Sequence, residues 1–266
     1  MVDGIVILYR VCDSVSAYNT PRIFGSKPDI IRKSVESLRD TISCCANDKI
    51  PITVNVIFDK TSQSTIKFTV DTLSAVCGNV RVHNTKKAQD GNMESFKLAY
   101  TIAKNYTNKL LFFCEDDYVI KPEFLSDMFY TYHKFEPCCH PCFKPHHETW
   151  SFERDNFGAD GTIWPREIVL GKCAYWFRDK TSTCTFCIDS EVFKDCENLF
   201  EATFGLSRVM ETHLNKMWEK YPLFASIPPY AEHMQCESSV SPFFDKRIPK
   251  ITKPYKINFQ SSSKSI

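Results

Sequence analysis

The sequence predicts an α/β protein whose central sheet is mostly parallel, and two observations carry this prediction. Short β-branched runs alternate along the first half of the chain with longer segments whose apolar residues recur at helical spacing. Strands that alternate with helices pair in parallel, because each helix carries the chain back across a face of the sheet. The length of 266 residues suits one large core better than two. We therefore expect a single α/β/α sandwich over residues 1–266.

The first half of the chain contains four predicted strands. The first spans residues 4–9 and ends at Arg10, and a loop runs from Val11 to about Pro28. The next helix has apolar residues at helical spacing, namely Ile30, Ile31, Val35, Leu38 and Ile42. The remaining elements are a strand at 52–58 ending at Asp59, a helix at 64–76, a strand at 80–83, a helix at 92–104 and a strand at 109–114. This order predicts a Rossmann-like half-domain.

The second half of the chain is irregular after Pro122. Three prolines crowd a group of cysteines and histidines between residues 137 and 147, and a strand follows at 183–188. Soft ligands in Cys138-Cys139-His140-Pro141-Cys142 with His146-His147, or in Cys184-x-x-Cys187, have the spacing of a structural zinc site. Residues three apart in a strand point to opposite faces, which argues against the second of these motifs.

Composition limits the classes of partner. The formal net charge of +1 gives no overall electrostatic reason to bind nucleic acid or a membrane surface, so phosphate binding must be local. Thirteen cysteines, an odd number with adjacent pairs, fit free thiols in a reducing compartment. The N-terminal residues do not resemble a signal peptide, and no apolar run approaches the roughly 20 residues of a membrane helix. We expect a soluble, cytoplasmic protein with a polar tail at 256–266.

Three consecutive acids, Glu115, Asp116 and Asp117, follow the buried run Leu-Leu-Phe-Phe-Cys. Carboxylates at the C-terminal end of a parallel strand lie in the crevice where open sheets bind ligands, and they can hold Mg²⁺ or Mn²⁺ together with a pyrophosphate. An acidic turn in solvent, or negative charge before the following helix, explains the same residues without a ligand. The acids are the strongest indication of function in the sequence.

Residues 110–118, followed by Pro122-Glu123-Phe124-Leu125, resemble the Asp-x-Asp segment of GT-A fold glycosyltransferases. Later segments are similar to small glycosyltransferases of large DNA viruses and phages, namely Trp176-Phe177-Arg178, Ser182-Thr183, Thr185-Phe186, residues 227–234 and Ser241-Pro242. The resemblance implies a GT-A type sandwich with a nucleotide-sugar-binding half at about 1–130 and an acceptor-binding half at about 131–255. Glu115 stands where the family usually has Asp, which leaves open which pair of acids acts as the motif.

The resemblance also assigns roles at the donor site. It implies that Asp59 contacts the nucleotide base, Asp116 the ribose and Asp117 the metal, Mn²⁺ or Mg²⁺. Arg10 and Asp13 would line the base pocket, Asn92 would open a helix facing the same crevice, and His233 would be a further metal ligand. Without the resemblance, Asp59 and Asn92 also suit helix caps, and His233 suits a hydrogen-bonded structural residue.

The acceptor side is expected to hold His146, His147 and Trp176. An inverting enzyme needs a carboxylate to take the proton of the acceptor hydroxyl, and Glu211 is the predicted base, with Asp160, Asp189 and Glu201 as competitors. A capping or surface acid is the alternative for each.

The predicted activity is transfer of a sugar, favouring a UDP-sugar donor, to a glycan, glycoprotein or other hydroxyl acceptor. A metal-dependent nucleotidyltransferase and a catalytically inactive sugar-binding module remain alternatives, although no Gly-rich phosphate loop is visible among the eight glycines.

Overall fold

A computed structural model describes residues 1–14, 25–86, 92–136, 138–145, 168–182, 185–204 and 213–234. Within these ranges the strands are β1 (Ile5–Val11), β2 (Ile52–Phe58), β3 (Val80–Asn84), β4 (Leu110–Glu115), β5 (Tyr118–Ile120), β6 (Cys142–Lys144), β7 (Ile168–Leu170), β8 (Tyr175–Asp179), β9 (Phe186–Asp189), β10 (Leu223–Ile227) and β11 (Ala231–His233). The helices are α1 (Lys27–Asn47), α2 (Gln63–Ser74), α3 (Asn92–Ala103), α4 (Phe124–Phe135), α5 (Ser190–Asp195), α6 (Glu197–Glu201) and α7 (Met217–Lys220).

Nine strands form one sheet in the order β3-β2-β1-β4-β9-β6-β10-β8-β7. The first four strands of this order pair in parallel, and so do β6 and β10. Strand β9 is antiparallel to β4 and β6, and β8 is antiparallel to β10 and β7. Seven of these nine strands therefore point the same way, which confirms the predicted α/β fold with a mostly parallel central sheet.

The two faces of the sheet are covered by different helices, so the central strands read as continuous apolar runs. All seven residues of β1 are buried. Ile7 and Tyr9 pack into a core with residues of α1 and α4, whereas Val6 and Leu8 pack into a second core with α3, α5 and α6. The alternation along β1 thus divides the interior into two layers.

A second, two-stranded sheet joins β5 to β11, which run antiparallel. Tyr118, directly after the acidic run, is the register partner of His233. Both strands have three residues, which is too short to produce a period-two pattern in the sequence. Neither strand was therefore predicted. The predicted strand at 183–188 corresponds to β9, which begins at Phe186 in the described chain.

A buried carboxylate connects α4 to the second half of the chain. The Oδ2 atom of Asp127 accepts hydrogen bonds from Trp176 Nε1 at 3.1 Å and Tyr230 Oη at 2.8 Å, and its Oδ1 accepts from backbone N–H groups of residues 172 and 173. Gly171 allows this close approach, because a Cβ there would lie 2.6 Å from Trp176 Nε1 and 2.7 Å from Asp127 Oδ1. The network fixes β8 and the segment before β11 against α4.

Candidate functional site

The candidate site lies where the strand order reverses, between β1 and β4. In the sheet order, β2 lies beyond β1 on one side of this point and β9 lies beyond β4 on the other. The loops that leave β1 and β4 therefore diverge and open a crevice. Register pairing places Arg10 of β1 beside Glu115 of β4. Asp59, just beyond β2, donates its backbone N–H to the carbonyl of Val11 at 2.9 Å. The predicted residues at these three strand ends therefore share one edge of the sheet.

On one face of the sheet, Arg10 and Glu115 form an ion pair of 2.6 Å. Arg10 is only 4% exposed, and its guanidinium lies 5.3 Å from the centre of the Phe96 ring on α3. Burial raises the pKa of Glu115, and the adjacent guanidinium opposes that rise. Arg10, predicted to line the base pocket, thus contacts an acid of the predicted motif.

The next acid, Asp116, is paired with Lys27, the first residue of α1. Its Oδ1 contacts Lys27 Nζ, and its Oδ2 accepts the backbone N–H of Cys12 at 2.7 Å. Burial raises the pKa of Asp116, and the ammonium group of Lys27 opposes the rise. The predicted ribose ligand is therefore also a structural link between β1, β4 and α1.

Asp117 and His233 lie together although they are far apart in the sequence. His233 Nε2 is 3.5 Å from Asp117 Oδ2, and both side chains are 16% exposed. The imidazole stacks on the Tyr118 ring, with centroids 4.5 Å apart and planes inclined by 10°. The backbone N–H of Met234 donates to the Asp117 carbonyl at 2.8 Å. The small sheet of β5 and β11 thus holds the two predicted metal residues side by side.

The Asp117 and His233 pair suits a divalent cation. Adjacent ligands of an octahedral ion, each about 2.1 Å from the metal, are separated by about 3.0 Å, so the 3.5 Å observed here would have to shorten by about 0.5 Å on binding. The carboxylate of Asp117 is a ligand that suits either Mn²⁺ or Mg²⁺. No cluster of three or more His, Cys, Asp or Glu side chains with ligand geometry occurs in the described ranges. The remaining positions on a cation would belong to substrate oxygens and water.

Asp59, just beyond β2, carries a buried carboxylate with one unsatisfied oxygen. The residue is 1% exposed, and its Oδ1 accepts a hydrogen bond from Thr85 Oγ1 at 2.7 Å. Its Oδ2 is buried and has no hydrogen-bond partner among the described residues. A buried acceptor without a partner costs free energy, so this oxygen is suited to a donor group of a ligand.

Asp13 and Asn92 lie at helix starts near the same edge. The Oδ2 atom of Asp13 accepts hydrogen bonds from Ser62 Oγ at 2.5 Å and Ser62 N at 2.9 Å, and Ser62 is the N-cap of α2. Asn92 is the first residue of α3, as predicted, but its side chain is outside the described set. Ser95, in the first turn of α3, accepts a long hydrogen bond from Arg10 at 3.5 Å.

The structure places Trp176 in the core instead of at an acceptor surface. Its ring is completely buried between Phe143 and Tyr230, with its Nε1 bonded to Asp127. The neighbouring Tyr175 points to the other face of β8 and is 44% exposed. His146, His147 and Glu211 lie outside the described residues, as does Asp160.

Two competitors for the catalytic base are far from this edge. Asp189 is the register partner of Leu110, at the opposite end of β4 from Glu115, and caps α5 through hydrogen bonds to the N–H groups of Glu191 and Val192. Glu201 accepts a hydrogen bond from Tyr100 Oη at 2.6 Å, near the end of α3. Neither carboxylate reaches the crevice.

The described cysteine and histidine residues between 138 and 142 do not form a zinc site. His140 Nδ1 lies 2.7 Å from Asp189 Oδ2, Cys142 is buried in the sheet, and Cys138 is exposed. Cys187 lies in β9, and Cys184 is outside the described ranges. These contacts give His140 a hydrogen-bond partner in Asp189 and place Cys142 in the sheet.

No protein-family model matches the chain, and no curated protein matches its sequence. Solved structures with a similar fold include the glycosyltransferase GlyE of Streptococcus pneumoniae (11% identity, 83% of this chain and 44% of that one, TM-score 0.43). Another is a Bacillus anthracis protein assigned as a glucose-1-phosphate thymidylyltransferase, in complex with sucrose (13% identity, 90% of this chain and 92% of that one, TM-score 0.47). A third is the galactosyltransferase LgtC with donor and acceptor sugar analogues (8% identity, 82% of this chain and 71% of that one, TM-score 0.40).

The present chain spans less than half the length of GlyE. All three TM-scores are below 0.5 and all identities are 13% or lower, so these likenesses assign no activity to the chain. Separately, none of the described helices combines the length and the apolar character required to cross a membrane.

Proposed function

We propose that this chain is a metal-dependent glycosyltransferase that transfers a sugar from a nucleoside-diphosphate sugar to a glycan or another hydroxyl acceptor. The observation that carries the proposal is the 3.5 Å approach of His233 to Asp117 at the switch point of the sheet. A hard carboxylate and an imidazole converge at the edge where open α/β sheets bind nucleotides. This is the site at which a diphosphate and its cation are expected.

The nucleotide is proposed to lie across the ends of β1 and β2. The buried Oδ2 of Asp59 is an acceptor suited to a donor group of the base, such as the ring N–H of uracil, thymine or guanine or the amino group of adenine or cytosine. Arg10, close to Asp59 in the sheet order, bounds the same end of the crevice. A UDP-sugar, the donor expected from the sequence, is the first to test.

The chemistry asked of the site is stabilisation of a departing nucleoside diphosphate. A divalent cation held by Asp117 and His233 would neutralise the negative charge that develops on the leaving group. Tyr118, stacked on the imidazole, holds His233 in the plane that directs Nε2 toward Asp117. Glu211 remains the proposed base for an inverting reaction, and His146 and His147 the proposed acceptor contacts.

The test is turnover of a panel of nucleotide-sugars that includes UDP-, GDP-, TDP- and ADP-linked hexoses, with Mn²⁺ and with excess chelator. We expect Mn²⁺-dependent release of UDP from UDP-sugars. Release of pyrophosphate from UTP and a sugar 1-phosphate would instead identify a nucleotidyltransferase. Binding of UDP-sugar without release of UDP under either condition would identify an inactive binding module, and each of these results contradicts the proposal.

A further inference from the structure

Lys27 occupies a position that is unfavourable for a cation. It is the first residue of α1, where the helix dipole places partial positive charge, and it is only 8% exposed. Burial of an ammonium group is costly unless an anion compensates for it. The capping box of Ser26 and Asp29 already completes the start of the helix. Formation of α1 does not require a lysine at this position.

The compensating anion is Asp116. Both of its oxygens have protein partners, Lys27 Nζ on Oδ1 and the Cys12 N–H on Oδ2. The side chain is also held on the face of the sheet that α1 covers, since Lys27 approaches it from that helix. A cation that drew on Asp116 would have to displace a buried ammonium group.

Arg10 has the equivalent relation to Glu115 on the opposite face. The ion pair measures 2.6 Å, and the guanidinium packs on Phe96 of α3. Two of the three consecutive acids therefore have a cation supplied by the protein, one on each face of the sheet. Among the described contacts of the third acid, Asp117, is the imidazole of His233 at 3.5 Å.

We propose that Lys27 and Arg10 are built-in counter-ions that withhold Asp116 and Glu115 from the divalent cation, so that the acidic run contributes one carboxylate, Asp117, and Lys27 sets the cation affinity. This inference rests on the proposed function, because it concerns the cation of the same site. Its consequence is specific. Removal of the lysine charge should strengthen cation binding, whereas removal of the charge of a true ligand should weaken it.

The experiment is a titration of the protein with Mn²⁺ alone, without nucleotide, with free Mn²⁺ followed by electron paramagnetic resonance. We expect Asp117→Asn to weaken binding at least about tenfold. Lys27→Met should tighten binding about tenfold, because a positive charge near the divalent ion is lost and Asp116 is released. The charge-balanced double variant Lys27→Met with Asp116→Asn should return to within about threefold of wild type. Lys33→Met, an exposed lysine on the same helix, is the matched control and should change nothing.

Thermal melting of every variant separates these effects from loss of folding. The double variant buries no unpaired charge at this pair, so it keeps the test valid if Lys27→Met is unstable. The inference is overturned if the double variant loses Mn²⁺ as severely as Asp117→Asn, since Asp116 is then a ligand. An unchanged affinity in folded Lys27→Met overturns it too. Wild-type affinity in Asp117→Asn contradicts the cation site itself, and with it the proposed function.

Discussion

Asp117 differs from its two acidic neighbours in what surrounds it. Glu115 and Asp116 each face a basic side chain, whereas Asp117 faces an imidazole across 3.5 Å. An Asp to Asn substitution preserves the shape of a side chain and removes its charge, so at this position it separates packing from cation binding. The same reasoning applies to any carboxylate proposed to act in the reaction.

Asp117→Asn is expected to lower turnover roughly a thousandfold or more, because losing the cation removes several kcal/mol of transition-state stabilisation. The melting temperature should stay close to that of wild type, since the residue lies at the edge of the core. His233→Ala should act in the same direction with a smaller effect. Steady-state kinetics with UDP-sugar and Mn²⁺ measure both. Near-normal transfer by Asp117→Asn with an unchanged Mn²⁺ response would contradict the proposed site.

Glu211→Gln is expected to lower kcat by about a hundredfold or more while the donor KM stays nearly constant, as for a base that acts only in the transition state. The measurement is initial-rate kinetics with donor and acceptor varied separately. Asp189→Asn serves as a comparison, because that carboxylate lies at the other end of β4. An unaltered kcat in Glu211→Gln would show that Glu211 is not the base.

At the scale of elements, short strands do much of the positioning. Strands β5 and β11 are three residues long, yet their pairing places Tyr118 opposite His233. They depend on neighbouring structure, because Tyr230, just before β11, is hydrogen-bonded to Asp127 of α4. The hydrogen-bond network of Asp127 therefore supports the approach of β11 to the acidic run.

Asp127→Ala is expected to destabilise the fold by about 3 kcal/mol or more, because it leaves several buried donors without an acceptor. For a chain of this size, that corresponds to a fall in melting temperature of roughly 6–12 °C. Differential scanning calorimetry measures it. Asp40→Ala, an acid on the surface of α1, is the control and should shift the transition by less than about 2 °C. Equal shifts in the two variants would show that the network contributes little.

At the scale of the whole molecule, the described core consists of apolar side chains and does not include the predicted cation residues. Two apolar layers cover the nine-stranded sheet, and the predicted cation residues lie at one edge of it. The fold should therefore tolerate removal of a metal from the proposed site.

Excess chelator is expected to abolish turnover and leave the melting temperature within about 2 °C of its value in Mn²⁺. A ligand stabilises the native state by RT ln(1 + [L]/Kd), which is about 1 kcal/mol or less unless its concentration exceeds Kd several-fold. Parallel activity and melting measurements in chelator and in Mn²⁺ provide the check. A large loss of stability on chelation would show that the metal is structural.

The alternation of strands and helices was predictable because it is a local pattern. Residues 110–115 are almost entirely apolar, which marks β4 as buried on both faces, and an acid after such a run must lie at the strand end. Lys27 was not predictable as a partner of Asp116, since nothing near Pro28 indicates which strand its side chain will meet. The same holds for Tyr118, whose role depends on a register with β11 far along the chain.

Trp176 shows a different limit. Successive side chains along a strand point to opposite faces of the sheet, so Tyr175 is exposed while Trp176 is completely buried. Strand β8 has five residues, and its sequence does not indicate which of the two aromatic side chains faces the core. That choice depends on Asp127, whose carboxylate accepts the indole N–H.

The pairing of β5 with β11 also has a consequence for the order in which the protein is made. A ribosome completes β1 to β4, and with them Asp117, well before His233 is synthesised. The emerging chain can thus bury its parallel strands while the imidazole that faces Asp117 is still missing. The pair proposed to hold a cation can form only when the last strand of the described chain has left the ribosome and paired with β5 at Tyr118.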